Sequence, residues 1–311
     1  RRGVWGWVQC ALINLRGVWD AFRMVRQLRP RVIVGFGGYV SFPLMIAGVC
    51  VRTPVVVHEA NAVAGKTVRL LVRLGAWLAY GLESCHEDFR HARVLRLHPE
   101  RVRMTGNPIR RQFWADLAAP LQPLPHLTEG VQTVLVTGGS QGARRLNQVV
   151  PDALAQLRGE GRQVQVIHVT GEGGEADVRE RYQRAGVPAF VVAFYERMGV
   201  LYRWADVVVA RAGALTVSEI CARGVASMLV PYPHATDDHQ QANAAVLAER
   251  GGAVVVEDSE LDVAVLVRTL RELLSDSARR GAMGARARAQ AVPDAAERLI
   301  KFVEECVERR R

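Results

Sequence analysis

The stretch Trp204-Ala-Asp-Val-Val-Val-Ala-Arg-Ala-Gly-Ala-Leu-Thr-Val-Ser-Glu219 decides how this chain reads. Asp206 to Ala210 is a short, β-branched apolar run, the pattern of a strand buried on both faces. Arg211 to Gly213 forms a turn. From Ala214 onward good helix formers take over, with Leu215, Ser218, Glu219 and Ala222 spaced along helical turns. A helix N-terminus just past the carboxyl end of a buried strand is where an open α/β sheet takes its ligands. The unpaired backbone N–H groups there favour an anion such as a phosphate. Glu219, about a turn and a half in, is placed to accept hydrogen bonds from neutral hydroxyls such as a ribose diol. The same residues also describe an ordinary strand-to-helix junction with a surface glutamate, which taken alone they favour, and the flanking chain changes that balance.

Strands and helices alternate on both sides of this stretch. Downstream, Ser227 to Val230 reads as a strand that opens into Pro231-Tyr-Pro-His-Ala-Thr-Asp-Asp-His-Gln-Gln-Ala-Asn243 and a helix, and Ala253 to Val256 as a last strand. The remainder is helical and ends in an amphipathic helix from about Asp294 to Glu308. Asp237, Asp238 and His239 invite a metal reading. Adjacent side chains fall on different faces of a helix, however, so capping and solvation is the preferred account and no metal site is assigned. Upstream, Thr133 to Thr137 is a strand, Gly138-Gly-Ser-Gln-Gly-Ala143 a glycine-rich loop and Arg144 to Leu157 a helix. That loop fits neither the dinucleotide fingerprint nor the P-loop, which needs Gly-Lys-Ser/Thr, so alone it is a weak nucleotide signal. Val164 to Val169, Ala176 to Arg184, Ala189 to Ala193 and Met198 to Arg203 continue the alternation.

The first third repeats the pattern. Trp5 to Leu28 reads as one long helix with Val8, Leu12, Leu15, Trp19 and Phe22 on one face; Arg16, Arg23, Arg26 and Arg29 lie off that stripe, and Pro30 closes it. Trp5 and Trp7, near Arg1 and Arg2, suit a membrane interface better than a core. Val32 to Phe36 is a strand followed by Gly37-Gly-Tyr-Val-Ser-Phe-Pro43, whose glycines permit positive φ and close approach to a ligand, and Pro43 opens a helix to about Val51. Pro54 to Val57 is a strand running into His58-Glu-Ala-Asn-Ala-Val-Ala-Gly65. Lys66 to Leu74 is a short helix, with Lys66, Arg69 and Arg73 on one side and Leu70, Leu71 and Leu74 on the other. Ala76 to Tyr80 and Val102 to Thr105 are further strands, the second ending in Gly106-Asn-Pro-Ile-Arg110. Phe113 to Gly130, with Pro120, Pro123 and Pro125, reads as an interdomain linker. Two parallel-sheet units with right-handed crossovers, their polar loops facing a cleft, follow from this order.

Composition agrees. At roughly 150 residues per domain, 311 residues make about two domains. The formal charge of +10 is spread along the chain, without a long Lys/Arg block apart from Arg309 to Arg311. No aromatic-plus-basic nucleic-acid module is present, so an anionic membrane surface or a phosphorylated ligand is preferred over nucleic acid. The five cysteines, Cys10, Cys50, Cys85, Cys221 and Cys306, form no C-x-x-C pair and are odd in number, the pattern of reduced thiols in the cytosol. No stretch is long and apolar enough to span a bilayer, and no signal peptide is evident.

Six motifs now stand in order: Gly-Gly-Tyr-Val-Ser, His-Glu-Ala-Asn-Ala-Val-Ala-Gly, Gly-Asn-Pro-Ile-Arg, Gly-Gly-Ser-Gln-Gly-Ala, Ala-Leu-Thr-Val-Ser-Glu and Asp-Asp-His-Gln-Gln-Ala-Asn-Ala. Each is weak singly; six in register, over nearly the whole chain, closely resemble the MurG family of UDP-N-acetylglucosamine transferases. The resemblance implies an α/β GT-B fold of two Rossmann-like domains, taken here as 1–119 for the acceptor and membrane and 120–311 for the donor, with the last helix packing back on the first domain. It implies inverting transfer of N-acetylglucosamine from UDP to undecaprenyl-diphospho-muramoylpentapeptide (lipid I) at the cytoplasmic face of the bacterial plasma membrane, next to anionic lipids. The product is lipid II for peptidoglycan, and hence for cell shape and division, and the reaction needs no metal or cofactor.

By resemblance, Asn61, Gln240 and Gln241 hold the sugar, Ser140 and Arg110 meet the diphosphate, and the Tyr195 backbone reads uracil. Ala214, Leu215, Thr216, Val217 and Ser218 present the helix N-terminus, and Glu219 holds the ribose. Gly37, Gly38, Tyr39 and Ser41 form the acceptor loop. Phe42 and Ala60 depart from the family pattern, in positions that affect the packing of that loop. The family's initial strand and glycine-rich loop, with its histidine base, have no counterpart here. The chain starts Arg1-Arg-Gly without Met, the expectation for a processed chain or a fragment, so no catalytic base is assigned and His58 is the first residue to examine. Two alternatives follow: a UDP-sugar 2-epimerase of the same fold, and a truncated, non-catalytic UDP-sugar-binding protein.

Overall fold

The computed structural model describes residues 4–38, 40–85, 98–139 and 142–309, and the side chains of these other than 4–15 and 236. Two compact units emerge: Arg1–Pro108 with Asp294–Arg311, and Ile109–Pro293.

In the first unit the chain runs α1 (Val4–Leu28), β1 (Ile33–Gly35), α2 (Phe42–Cys50), β2 (Val55–Glu59), α3 (Lys66–Arg73), β3 (Trp77–Tyr80) and β4 (Val102–Met104). The strands pair in parallel in the order β1-β2-β3-β4. Val56, Val57, Leu78 and Ala79 are fully buried, which is why β2 and β3 carry continuous rather than alternating apolar runs. Of the expected stripe of α1, the side chains of Val8, Leu12 and Leu15 lie outside those described, as do those of Trp5 and Trp7. Ala21 and Val25 are buried with Phe22 against the core, whereas Trp19 is 66% exposed. In α3 the buried face is Val68, Leu71 and Val72; Leu70 and Leu74 are exposed beside Lys66 and Arg73 rather than opposite them.

The second unit contains α4 (Arg111–Ala118), β5 (Gln132–Thr137), α5 (Arg144–Gly159), β6 (Val164–Val169), α6 (Glu175–Arg184), β7 (Ala189–Val192), α7 (Met198–Trp204), β8 (Val207–Ala210), α8 (Ala214–Arg223), β9 (Ala226–Leu229), α9 (His239–Ala248), β10 (Ala253–Val255), α10 (Val263–Ser275) and α11 (Ser277–Arg288). All six strands are parallel, in the order β10-β9-β8-β5-β6-β7. The chain leaves β5 towards β6 and β7, then returns to the other side of β5 with β8. The topological switch point of the sheet therefore lies between β5 and β8.

The division falls at Pro108/Ile109, ahead of the 119/120 boundary expected from the prolines, because Arg111–Ala118 is not linker. It is α4, and Phe113 packs in the second core beside Tyr202, with ring centroids 5.4 Å apart. The proline segment behind it is packed too: Leu124 is buried, and the Trp204 indole N–H donates to the Gln122 carbonyl at 2.9 Å. The final helix, α12 (Ala295–Glu308), belongs to the first unit. Its Phe302 meets Trp77 at 5.3 Å, and Glu305 takes both Arg103 Nη atoms at 2.8 Å. These units divide the charge unevenly. The first has 21 Lys and Arg against 11 Asp and Glu, the second 20 against 20, so the net charge that looked evenly spread along the sequence belongs to the first unit.

Candidate functional site

A cavity of about 1050 Å³ opens at the switch point of the second sheet, walled by the loops that follow β5 and β8. After β5 the backbone turns at Gly138 and Gly139, and a side chain at Gly138 would lie 2.3 Å from the Ala143 nitrogen. Gly142 has φ +69°, and a Cβ there would sit 2.4 Å from the Thr170 carbonyl oxygen; only glycine allows the loop to close this tightly. Its neighbours Ser140 and Gln141 lie outside the described residues. Behind the loop, Asn147 donates to that same Thr170 carbonyl at 3.0 Å and accepts from His168 Nε2 at 3.0 Å, while the Tyr182 hydroxyl meets His168 Nδ1 at 2.9 Å. Burial pushes the His168 pKa down to about 3, with Arg181 adding to the effect, so the imidazole is a neutral strut.

Two helix N-termini face this cavity, α5 at Ala143 and α8 at Gly213, neither preceded by a residue whose side chain could cap it. Ala214, Leu215 and Thr216 line it, along with Arg144, Arg145 and Arg211. The two helix N-termini favour an anion here, whereas Arg145 is engaged by the Leu261 carbonyl and Arg211 by Asp258. Val217 is instead fully buried in the core, and the Ser218 hydroxyl donates back to the Ala214 carbonyl at 2.8 Å.

Glu219 lines the same cavity. Burial pushes its pKa up to about 7; Tyr202 and the positive charge of Arg110 act in the opposite direction. The Tyr202 hydroxyl is buried beside this carboxyl without completing a hydrogen bond of normal geometry among the described residues. Arg110, at the start of α4, thus reaches Glu219 through its field and is itself solvent-exposed. Tyr195 and the exposed Phe194 line the cavity as well. Gln240 also lines it and accepts from the Tyr232 N–H at 2.9 Å. Its neighbour Gln241 turns to Glu257, to which it donates at 2.8 Å. Sequence reading took Arg211 only as part of a turn. It is buried in the cavity wall, donates to the Val230 and Pro231 carbonyls at 3.1 and 3.2 Å, and meets Asp258 at 2.6 Å. The available signal was an arginine wedged between a buried strand and a helix start, where a charge needs a reason.

The remaining predicted residues lie in the first unit. Gly37 and Gly38 both have positive φ, 72° and 78°, and the Ser41 hydroxyl donates back to their carbonyls rather than capping α2. Tyr39 lies outside the described residues. Glu59 is buried and organises the next loop: it accepts from the Asn61 backbone and side-chain nitrogens, each at 3.0 Å, and from the Gly65 N–H at 3.1 Å. His58 donates from Nε2 to the Gly106 carbonyl at 3.0 Å and sits 5.6 Å from the Phe36 ring; burial lowers its pKa, against smaller upward effects of Gly106 and Glu59. Among the described residues no cluster of His, Cys, Asp or Glu is arranged to hold a metal ion, and no helix is long and apolar enough to cross a membrane.

Two parallel α/β units, one with a cavity framed by two helix N-termini at its switch point, have the architecture of the GT-B sugar-nucleotide enzymes. Residues 133–299 match the glycosyltransferase family 28 C-terminal domain, and residues 1–76 the corresponding N-terminal domain. A protein of Geobacter metallireducens named UDP-N-acetylglucosamine–N-acetylmuramyl-(pentapeptide) pyrophosphoryl-undecaprenol N-acetylglucosamine transferase is 37% identical over 92% of this chain and 76% of its own. The crystal structure of Acinetobacter baumannii MurG superposes with a TM-score of 0.75 at 30% identity, covering 95% of this chain and 80% of that one. A putative UDP-N-acetylglucosamine 2-epimerase of Listeria monocytogenes shares the fold, with a TM-score of 0.66 over 96% of this chain and 80% of its own, at only 15% identity. The chain belongs to glycosyltransferase family 28, in its MurG branch.

Proposed function

We propose that this chain is an inverting transferase that moves N-acetylglucosamine from UDP to lipid I, giving lipid II of peptidoglycan. The observation that carries the proposal is the similarity, over 92% of the chain, to a relative bearing that name. The cavity of the second unit, framed by two helix N-termini, supports it. In this reading the N-termini of α8 and α5, with Arg110, Arg144 and Ser140, take the diphosphate, Glu219 the ribose and the Tyr195 backbone the uracil. Gln240 and Gln241 take the sugar. As the bond from the anomeric carbon to the β-phosphate oxygen breaks, charge builds on the departing UDP. Fixed N–H donors aimed at that oxygen stabilise it without reorganising. The acceptor hydroxyl attacks from the opposite face of the sugar, which inverts the anomeric configuration, and gives up its proton to a base that we leave unassigned.

The acceptor loop Gly37, Gly38, Tyr39 and Ser41 receives the lipid diphosphate in this account, and the first unit docks at the cytoplasmic face of the membrane. Its excess of ten positive charges supports that reading, as do exposed Trp19, Met24, Leu28, Phe36, Val40, Leu70 and Leu74. Apolar side chains interleaved with cations suit a headgroup region rich in anionic lipid.

Incubation with UDP-N-acetylglucosamine and a short-chain lipid I analogue tests the reaction. The expected product is the β-linked disaccharide lipid with stoichiometric UDP. Inversion at C2 of the nucleotide sugar, with no sugar transferred, would assign the chain to epimerase chemistry instead.

A further inference from the structure

Asp116 is a carboxylate in the middle of α4 with only 1% of its side chain exposed. Its Oδ1 receives Arg197 Nε and Nη2, at 3.2 and 2.5 Å, and the Gln112 amide at 2.8 Å. Its Oδ2 is buried and meets no hydrogen-bond partner among the described residues. A buried ion with an unfilled acceptor is a poor way to stabilise a helix seam, since an apolar pair of the same volume packs as well at lower cost. The question is what this pair holds in place.

Arg197 stands at the N-cap of α7, with φ −96° and ψ 61°, outside the helical region. It follows Tyr195 and Glu196 directly and precedes Met198; Ala193, Phe194, Tyr195 and Met198 all line the cavity. Two residues on, at Gly199, the two helices touch with no side chain between them. A Cβ at Gly199 would lie 2.7 Å from the Asp116 Cβ and 2.7 Å from the Phe113 carbonyl oxygen. The Arg197 fork and the Gly199 contact fix one end of the turn 193–198 to α4, in both position and rotation.

We propose that Asp116 is a positioning residue that sets the nucleobase selectivity of this cavity, by holding Arg197 so that the peptide groups of the 193–195 wall keep one orientation. The inference rests on the reading of the cavity as the UDP site. Uracil and cytosine differ by exchange of a donor and an acceptor on adjacent ring positions. A peptide wall separates them only while its N–H and C=O directions are fixed, and a wall free to rotate serves both.

The test is calorimetry of UDP and CDP on the full chain, comparing the parent with Asp116→Asn and Arg197→Gln. Asparagine keeps the shape and one acceptor but loses the charge, and the Arg197 side chain is 43% exposed, so its replacement is compatible with folding. The parent is expected to prefer UDP. In both variants the UDP-to-CDP affinity ratio should shrink by about fivefold or more, the scale of one net hydrogen bond to the base. Loss of stability alone lowers both affinities together and leaves their ratio unchanged, and an unchanged ratio in folded Asp116→Asn overturns the proposal. Should that variant not fold, an unchanged ratio in Arg197→Gln overturns it equally. A parent that binds UDP and CDP alike, or neither, removes the uridine reading and this inference with it.

Discussion

Glu219 has two properties that pull against each other. It lines a cavity fit for a nucleotide, and burial lifts its carboxyl pKa to about 7. Ionised, the carboxylate accepts from both hydroxyls of a ribose diol; protonated, it loses much of that capacity. Ribose binding therefore favours the ionised form, and UDP affinity should climb as pH rises through 7 and level off above it. The nucleotide phosphate also titrates in this region, near about 6, so the informative quantity is the parent minus Glu219→Gln, whose side chain does not titrate. Calorimetry from pH 6 to 8.5 should give a rising difference, and Glu219→Ala should cost about 1–3 kcal/mol of UDP affinity at the upper end. A flat difference would take Glu219 off the ribose. Folding stability has its own sign. A carboxyl whose folded pKa is raised contributes stability that is complete below its unfolded pKa and is lost as pH climbs through about 7. Glu219→Gln should accordingly gain on the parent in thermal melts at pH 8 relative to pH 5.

At the scale of elements, what could be read in the sequence depended on whether the signal was local. β8 and the start of α8 were legible because a β-branched run gives way to helix formers within one window, and the structure has the strand at Val207–Ala210 and the helix from Ala214. The glycine-rich loop was legible as a loop, but the reason for Gly142 was not, since the Thr170 carbonyl that excludes a side chain comes from the residue just after β6. α4 was missed for the same cause. It has eight residues, and its buried positions include Asp116, which no apolar periodicity registers. Its partner Arg197 is 81 positions away in sequence, so only the folded chain pairs them. Three prolines just beyond it suggested linker. Arg211 was likewise passed over because its neutralising partner, Asp258, lies on a distant loop.

The charge of the molecule is divided, with a neutral unit around the cavity and a strongly cationic unit bearing exposed apolar side chains. The imbalance lies in residues 1–108, with 16 Lys and Arg against 6 Asp and Glu; the segment 294–311 that returns with α12 adds five of each. If the first unit meets the membrane as proposed, Lys66, Arg69 and Arg73 should each contribute about 1 kcal/mol near an anionic surface. Replacing all three with Gln should then reduce co-sedimentation with anionic liposomes at low salt while UDP affinity stays at the parent value. Sedimentation equal to the parent would move the docking face elsewhere. The central claim remains that a sugar nucleotide sits at the switch point of the second sheet, its diphosphate on the α8 and α5 N-termini. Hydrogen–deuterium exchange of the full chain with and without UDP tests this most directly. The account predicts slowed exchange of the amides at 138–143, 193–196 and 213–219, with the sheets unchanged; protection confined to other segments, or none at saturating UDP, would contradict it.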